Sequence, residues 1–357
     1  MPSAITRLSS RGLPDMLLRP SGLRPDVTMA CLDKQAVITT NWRGFMTVRS
    51  RWRMAGCDEG AAASGTIPFQ EAAMLSQQQI EFFHANGYLV VENAVSAEQL
   101  DALRTDFGGW VEESRQHQDG WGETVNGKAR FDVEKGHNAD KPALRRINAP
   151  HEVSDAFFEV MSDSAMTDMV ADLIGPDVKL HHTKVNSKLP GSATAVKWHQ
   201  DFPFTPHTND DLITALLMVD EVTEENGPLE VWAGTHTGEI HTLWHDGKFT
   251  GAVDEDVTEE ALKERTICTG KAGSVCLMHT RLLHGSAPNN SDAPRTLFIC
   301  VYSAADAMPV SPSPVPTRDQ GRIVRGEDRG RVRSSGFDIP MPELPKGASF
   351  FDQQQTS

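Results

Sequence analysis

From Leu75 onward the chain reads first in a helical and then in a strand period. Ser76-Gln-Gln-Gln79 has the form of a capping box, and Ile80 and Phe83 follow on one helix face. Asn86-Gly87 stops that helix, and Tyr88-Leu-Val-Val91 follows as a short apolar strand. Ser96-Ala-Glu-Gln99 caps a second helix through Leu100 and Leu103. A third helix is predicted over Ser164 to Ile174, stopped by Gly175-Pro176. The period then changes. Val178 to Lys188, Leu212 to Val219, Leu229 to Trp232, Ser274 to Met278 and Thr296 to Tyr302 are short β-prone runs. Asn226-Gly227 and Pro288-Asn-Asn290 are turn signals among them. Helices followed by many strands predict a mainly β fold, a barrel or sandwich with helices flanking it. From Asp306 the chain is Pro-rich and irregular, with Arg clusters near 322–333.

The first 70 residues lack this patterning. They carry nine Lys/Arg against five Asp/Glu, whereas the whole chain of 357 residues has a net charge of −15. Residues 1–70 are therefore expected to lie outside the fold: a disordered extension, a transit-like peptide, or an over-extended start with initiation at Met54 or Met74. Asp15, Asp26, Asp33, Asp58 and Glu59 count against the transit reading, because such peptides are poor in acid. The domain is expected over 71–305, with 306–357 an irregular tail packed on it.

The acidic balance argues against nucleic acid or an anionic membrane as partner, since both select basic surfaces. No run of 18 apolar residues marks a transmembrane helix. Five cysteines form no CxxC pair, which suits a reducing, cytoplasmic setting and argues against a cysteine zinc site. Any metal must then be held by His and carboxylate.

Trp198-His199-Gln200-Asp201 supplies such a pair. On an extended chain, residues two apart point to the same side, so His199 and Asp201 can converge on one ion. A second His would complete the 2-His-1-carboxylate triad of non-haem Fe(II) oxygenases. His117-Gln118-Asp119 repeats the pattern, but in a polar stretch at the end of a helix, where residues two apart do not share a face. The partner His comes from the segment Val275 to Arg295. His284 precedes Gly285-Ser286, with His279 a competing ligand or an orienting group. Arg295 opens the last strand, where a buried guanidinium needs an anion and a carboxylate suits its fork. Lys184 and Asn186 could face the same cavity. Cys276, Cys300 and Trp232 read as core, and His241 and His245 have no metal spacing.

With these motifs in view, Leu75 to about Asp306 resembles the phytanoyl-CoA dioxygenase family. The likeness is carried by Leu75-Ser-Gln-Gln-Gln-Ile-Glu-Phe-Phe-His-Ala-Asn-Gly-Tyr88, Trp198-His-Gln-Asp201, Asn226-Gly-Pro-Leu229, Gly234-Thr-His236, and His284-Gly-Ser286 with Arg295. The resemblance implies a double-stranded β-helix, the jelly-roll or cupin-like barrel. It implies Fe(II) on His199, Asp201 and His284, with 2-oxoglutarate as cosubstrate, O2 as oxidant and ascorbate as accessory reductant. Arg295, helped by Ser286, would hold the distal carboxylate of 2-oxoglutarate. Arg146, in Leu144-Arg-Arg-Ile-Asn148, would add a basic contact to the cosubstrate. The implied reaction hydroxylates an aliphatic C–H of a small molecule, with release of succinate and CO2, in a monomer or homodimer. An iron halogenase would lack the carboxylate that Asp201 provides. An inactive metal-binding barrel would have no use for Arg295 and Ser286. Segments 237–265 and 306–357 are expected to supply lid and substrate contacts.

Overall fold

The protein is described from a computed structural model, covering residues 32–40, 46–54, 75–190, 194–342 and 354. The chain divides into two units, Met1–Phe69 and Gln70–Ser357. In the first, β1 (Leu32–Thr40) pairs antiparallel with β2 (Met46–Met54). The sequence reading expected no element there; Val37, Ile38, Thr39 and Thr40 are a β-branched run that favours one. The rest of the leader read over 1–70 lies outside the described residues.

In the second unit, α1 (Gln77–Asn86) starts at a full Ser76/Gln79 capping box and ends at Gly87 in the left-handed region. After β3 (Tyr88–Val91), α2 (Ala97–Ser114) opens on a second capping box, Ser96 with Gln99. Then come β4 (Trp121–Glu123), β5 (Ala129–Val133) and β6 (Leu144–Asn148), followed by α3 (Asp155–Ser162) and α4 (Ala165–Ile174). The strand-rich half holds β7 (Val178–Lys188), β8 (Val196–His199), β9 (Leu212–Met218), β10 (Leu229–Val231), β11 (Trp244–His245) and β12 (Lys248–Phe249). It continues through α5 (Glu255–Glu264), β13 (Thr266–Cys268), β14 (Val275–His279), β15 (His284–Ser286), β16 (Arg295–Ala304) and β17 (Ile323–Arg325).

Two antiparallel sheets form the walls of the barrel. The larger runs β3-β14-β9-β16-β7-β6-β5-β4, and the smaller runs β13-β10-β15-β8. The central strands of the large sheet are buried on both faces, and their alternation sorts side chains between two cores. Ile213, Ala215 and Leu217 of β9, with Phe298, Cys300 and Tyr302 of β16, pack under the helices with Phe157, Met161 and Val170. Leu216, Met218, Leu297 and Ile299 face the other way, onto Leu229, Val231 and Cys268 of the small sheet. Cys276 and Cys300 are core residues as read, but on opposite faces of the large sheet. This is the expected jelly-roll: two sheets closed over an interior, helices on the outer face.

The tail is tied to the barrel at several places. β17 pairs with the start of β7, Arg325 makes an ion pair with Asp168, and Phe337 packs its ring on Phe202. Gln354 is buried; its amide nitrogen donates to Gly251 O and its amide oxygen accepts from Lys197 N.

Candidate metal centre

β8 ends at His199, and Asp201 already opens the turn Phe202–Phe204, yet the side chains of His199, Gln200 and Asp201 still alternate as expected. Gln200 is fully buried on the opposite side, where it donates to Glu239 O and Arg281 O and accepts from His241 N. That anchor fixes the strand end and turns His199 and Asp201 into the barrel. β15 lies antiparallel to β8 with His284 directly opposite His199. One ligand atom from each of His199, Asp201 and His284 falls within 4.8 Å of the others, a spacing that can hold a metal ion.

Three hydrogen bonds aim these atoms. His199 Nδ1 lies 2.8 Å from Lys197 O, and His284 Nδ1 lies 3.0 Å from Leu282 O. A ring nitrogen facing a carbonyl must carry the proton, so each Nε2 is left with its lone pair for a metal. Both Nε2 atoms face Asp201 Oδ1, at 3.6 and 3.7 Å. The other carboxylate oxygen, Oδ2, accepts from Thr214 Oγ at 2.7 Å. Burial, and then the neighbouring His199, push His284 down to about 4, so it stays neutral at pH 7. Burial alone would raise the Asp201 carboxyl. The surrounding histidines and the Lys184 ammonium outweigh it and hold the group well below the usual carboxylate range. Two neutral imidazoles and one carboxylate are the donor set of a facial Fe(II) site. These residues therefore fit the metal that the resemblance implies.

Two compartments meet at this point, sharing Arg146, Lys184, His199 and Asp201. The inner one, about 730 Å3 counted to its opening, lies between the sheets and is lined by Arg295, Ser286, Lys188 and Asn186. The outer one, about 840 Å3 counted to its open mouth, is lined by Asn126, Lys128, His182, Phe204 and the tail residues Pro314 to Pro316.

Arg295 is buried, and its Nε donates to Gly227 O at 2.9 Å. Gly227 adopts φ +81, and a Cβ there would meet Ala287 O at 2.8 Å, so the turn that carries this carbonyl needs glycine. Burial, opposed by Asp220, lowers the guanidinium to about 10, and it remains charged. Ser286 Oγ accepts from Lys188 Nζ at 2.7 Å, which leaves the hydroxyl proton for an oxygen inside the compartment. Burial and the Arg295 charge push Lys188 down to about 6. The sequence reading missed Lys188. It placed this residue at the end of a β-prone run, and the direction in which the run faces is set by pairing with β16.

Arg146 stands on the floor shared by both compartments, its Nε donating to Asn148 Oδ1. Burial lowers it to about 10. Lys184 and Asn186, which alternate with Val185 on β7, do face the cavity. Burial, opposed by Asp201, lowers Lys184 to about 8.

The other sequence-derived residues fall elsewhere. His117 lies beyond α2, which ends at Ser114, so helical spacing is not what separates its pair; Gln118 and Asp119 are exposed and His117 is half-buried. Its ring stacks on Trp121 at 4.4 Å. His279 accepts from Arg281 N and packs 5.3 Å from the His236 ring, outside the group around Asp201. His245 bonds Ala252 O and pairs with Asp254. Of the two segments expected over the substrate, 306–357 supplies Pro314 to Pro316, whereas 237–265 lines neither compartment and packs instead around Trp198. No helix among the described residues is long and apolar enough to cross a membrane.

Residues 83–297 match the family described as phytanoyl-CoA dioxygenase (PhyH). A probable alpha-ketoglutarate-dependent hypophosphite dioxygenase of Stutzerimonas stutzeri is 34% identical over 66% of this chain and 81% of its own length. An ectoine dioxygenase of Stutzerimonas stutzeri (strain A1501) is 25% identical over 66% of this chain and 79% of its own. A crystal structure of EctD from S. alaskensis with bound Fe has the same fold. It is 22% identical, with a TM-score of 0.56 over 75% of this chain and 88% of that one. Between them, the matched span, the curated relatives and the His-Asp-His group account for Fe(II), 2-oxoglutarate and O2 as the chemistry this barrel serves. The chain belongs to the phytanoyl-CoA dioxygenase family of Fe(II)- and 2-oxoglutarate-dependent dioxygenases.

Proposed function

We propose that this dioxygenase hydroxylates a small molecule that enters the outer compartment. The observation that carries the reading is the convergence of His199, Asp201 and His284 where two compartments meet. His199, Asp201 and His284 would hold Fe(II), which with 2-oxoglutarate and O2 would supply the coupling of cosubstrate decarboxylation to substrate oxidation. The chain's own residues bind and orient. His199 and His284 present Nε2 because their Nδ1 protons are held by carbonyls. Thr214 holds Asp201 so that Oδ1 faces inward. Arg295 and the Ser286 hydroxyl bind the distal carboxylate of 2-oxoglutarate, and Lys188 keeps Ser286 in place. Asn186 Oδ1, buried without a partner, is an acceptor for a donor on a bound ligand.

An aliphatic C–H is the bond we expect to react. A second reading is a P–H bond in a small phosphorus oxyanion. The similarity to the hypophosphite dioxygenase favours it, as does the cationic lining of the site.

Anaerobic titration of 2-oxoglutarate into the Fe(II) protein tests the assignment through its charge-transfer band. Arg295→Ala is expected to weaken 2-oxoglutarate binding about 30-fold to several thousand-fold, while iron affinity holds. Arg295→Lys restores part of the loss, because an ammonium lacks the bidentate fork. Normal 2-oxoglutarate binding with loss of iron in Arg295→Ala would overturn the role given to this arginine.

A further inference from the structure

The metal centre carries more positive charge than the reaction partners named so far can balance. A divalent metal, the Asp201 carboxylate, dianionic 2-oxoglutarate and the Arg295 guanidinium sum to no net charge. With the cosubstrate held by Arg295 and Ser286, the Lys184 ammonium and the Arg146 guanidinium, which the resemblance would give to the cosubstrate and which also lines the outer compartment, are left over, both on the floor between the compartments. Among the described residues neither makes an ion pair, and Asp201, whose charge acts on Lys184, is already counted against the metal. Arg146 is buried and bonds the neutral Asn148 side chain; Asp132, opposite it on β5, is held by Arg145 at 2.9 Å. Among the described residues Asp201 is the only carboxylate lining either compartment. Of the other polar groups of the outer compartment, Asn126, Asn148, Thr124, Thr205 and His182 are uncharged. A net charge of −15 on the whole chain makes this local excess of cations the more pointed. Buried cations without counter-charge are costly, and an enzyme that keeps them next to its metal spends that cost on a ligand.

We propose that the substrate is a small oxyanion, or carries an oxyanionic group, that Lys184 and Arg146 fix beside the metal centre from the outer compartment. The proposal rests on the dioxygenase reading above and narrows its substrate class. Carboxylates and phosphorus oxyanions share the required chemistry: a compact anion with at least two acceptor oxygens. Arg146 can offer its terminal N–H groups to one oxygen and Lys184 its ammonium to another, as charge-assisted hydrogen bonds.

Calorimetry tests this on the anaerobic Fe(II) protein with saturating 2-oxoglutarate, at constant ionic strength. The probes are hypophosphite, acetate and the uncharged acetamide. At least one of the two anions is expected to bind, and acetamide is not. Stronger binding of hypophosphite than of acetate points to a phosphorus oxyanion, and the reverse to a carboxylate. Lys184→Met is expected to weaken anion binding by about 30-fold or more. Lys184→Arg restores most of it, which a purely structural lysine would not do. Equal binding of acetamide and the anions overturns the proposal, as does binding of neither anion. Anion affinity unchanged in both Lys184→Met and Arg146→Gln also overturns it, since the anion would then sit on the metal alone. If 2-oxoglutarate produced no charge-transfer band, the dioxygenase reading would fail by itself. The same titrations into the Zn(II)-loaded protein would still decide whether an oxyanion binds between Lys184 and Arg146.

Discussion

The chain contains the tripeptide His-Gln-Asp twice, and the two copies show what a motif owes to its surroundings. In His199-Gln200-Asp201 the middle residue is buried and tied to three backbone groups. Its neighbours are thereby forced into the barrel, opposite His284. In His117-Gln118-Asp119 the glutamine and aspartate are exposed, and the histidine lies flat on Trp121. The composition of the two copies is identical. What differs is the strand partner and the anchoring of the middle side chain. A ligand pair is made by the residue between the ligands as much as by the ligands.

Substitution of the ligands themselves separates the copies most sharply. His199→Ala or Asp201→Ala is expected to lower 2-oxoglutarate turnover by about a thousand-fold or more and to abolish tight metal binding. His117→Ala and Asp119→Ala leave turnover within about two-fold. Comparable losses in both copies, read as succinate formed per iron, would break the contrast.

Support behind the ligands is the next level. Thr214→Val removes the hydroxyl that holds Asp201 Oδ2 and keeps the shape of the side chain. Metal affinity is expected to fall about 10- to 100-fold, with Asp201 itself intact. An unchanged dissociation constant in a competitive chelator titration would show that the carboxylate needs no orienting.

Metal removal reads the same difference as stability. Iron at about 100 times its dissociation constant adds about 2.7 kcal/mol, or roughly 5–10 °C in Tm for a domain of this size. Chelation should take that increment from the His117→Ala protein and leave the Tm of His199→Ala unmoved.

Acid distinguishes buried from exposed histidines more gently. Burial pushes His151 and His207 down to about 4 in the folded protein, against about 6.5 in an unfolded chain. The unfolded chain therefore binds more protons between those values. Stability is fully present above about pH 6.5 and is lost as pH falls towards 4. A Tm that stays flat from pH 7 to 4.5 would contradict it. The smallest effect belongs to the exposed copy: His117→Ala gives up one ring stack, about 1 kcal/mol or less in a denaturant titration.

Much of this could be read from the chain before its folding was known. The capping boxes at Ser76 and Ser96, the stop at Gly175-Pro176 and the runs of β7, β9 and β16 carry local signals that survive in the structure. The ligand spacing was legible because a period of two is all that His199 and Asp201 need. What escaped was non-local or masked by composition. α3 is a short helix with one cap at Ser154 and too few turns to show a periodicity. β6, Leu-Arg-Arg-Ile-Asn, buries both arginines and so alternates in no recognisable way. Thr214 and Lys188 matter through what lies across the barrel from them, which no window along the sequence contains. The tail residues Pro314 to Pro316 reach the outer compartment by the same long-range route.

Among the described residues β8 is the last strand of the small sheet, with β15 on one side and no further strand on the other. Its pairing to β15 is short and shifts register between His284 and Ser286. An ion gripped by His199 and His284 would act as a clasp across that seam, closing a long stretch of chain and adding to the bonds that Gln200, Gln354 and Val253 already make along β8. Iron supply would then govern local opening as well as turnover. In the iron-free protein the amides of Val196–His199 should exchange with solvent well ahead of those in β9 or β16, and the edge would be the place where unfolding begins.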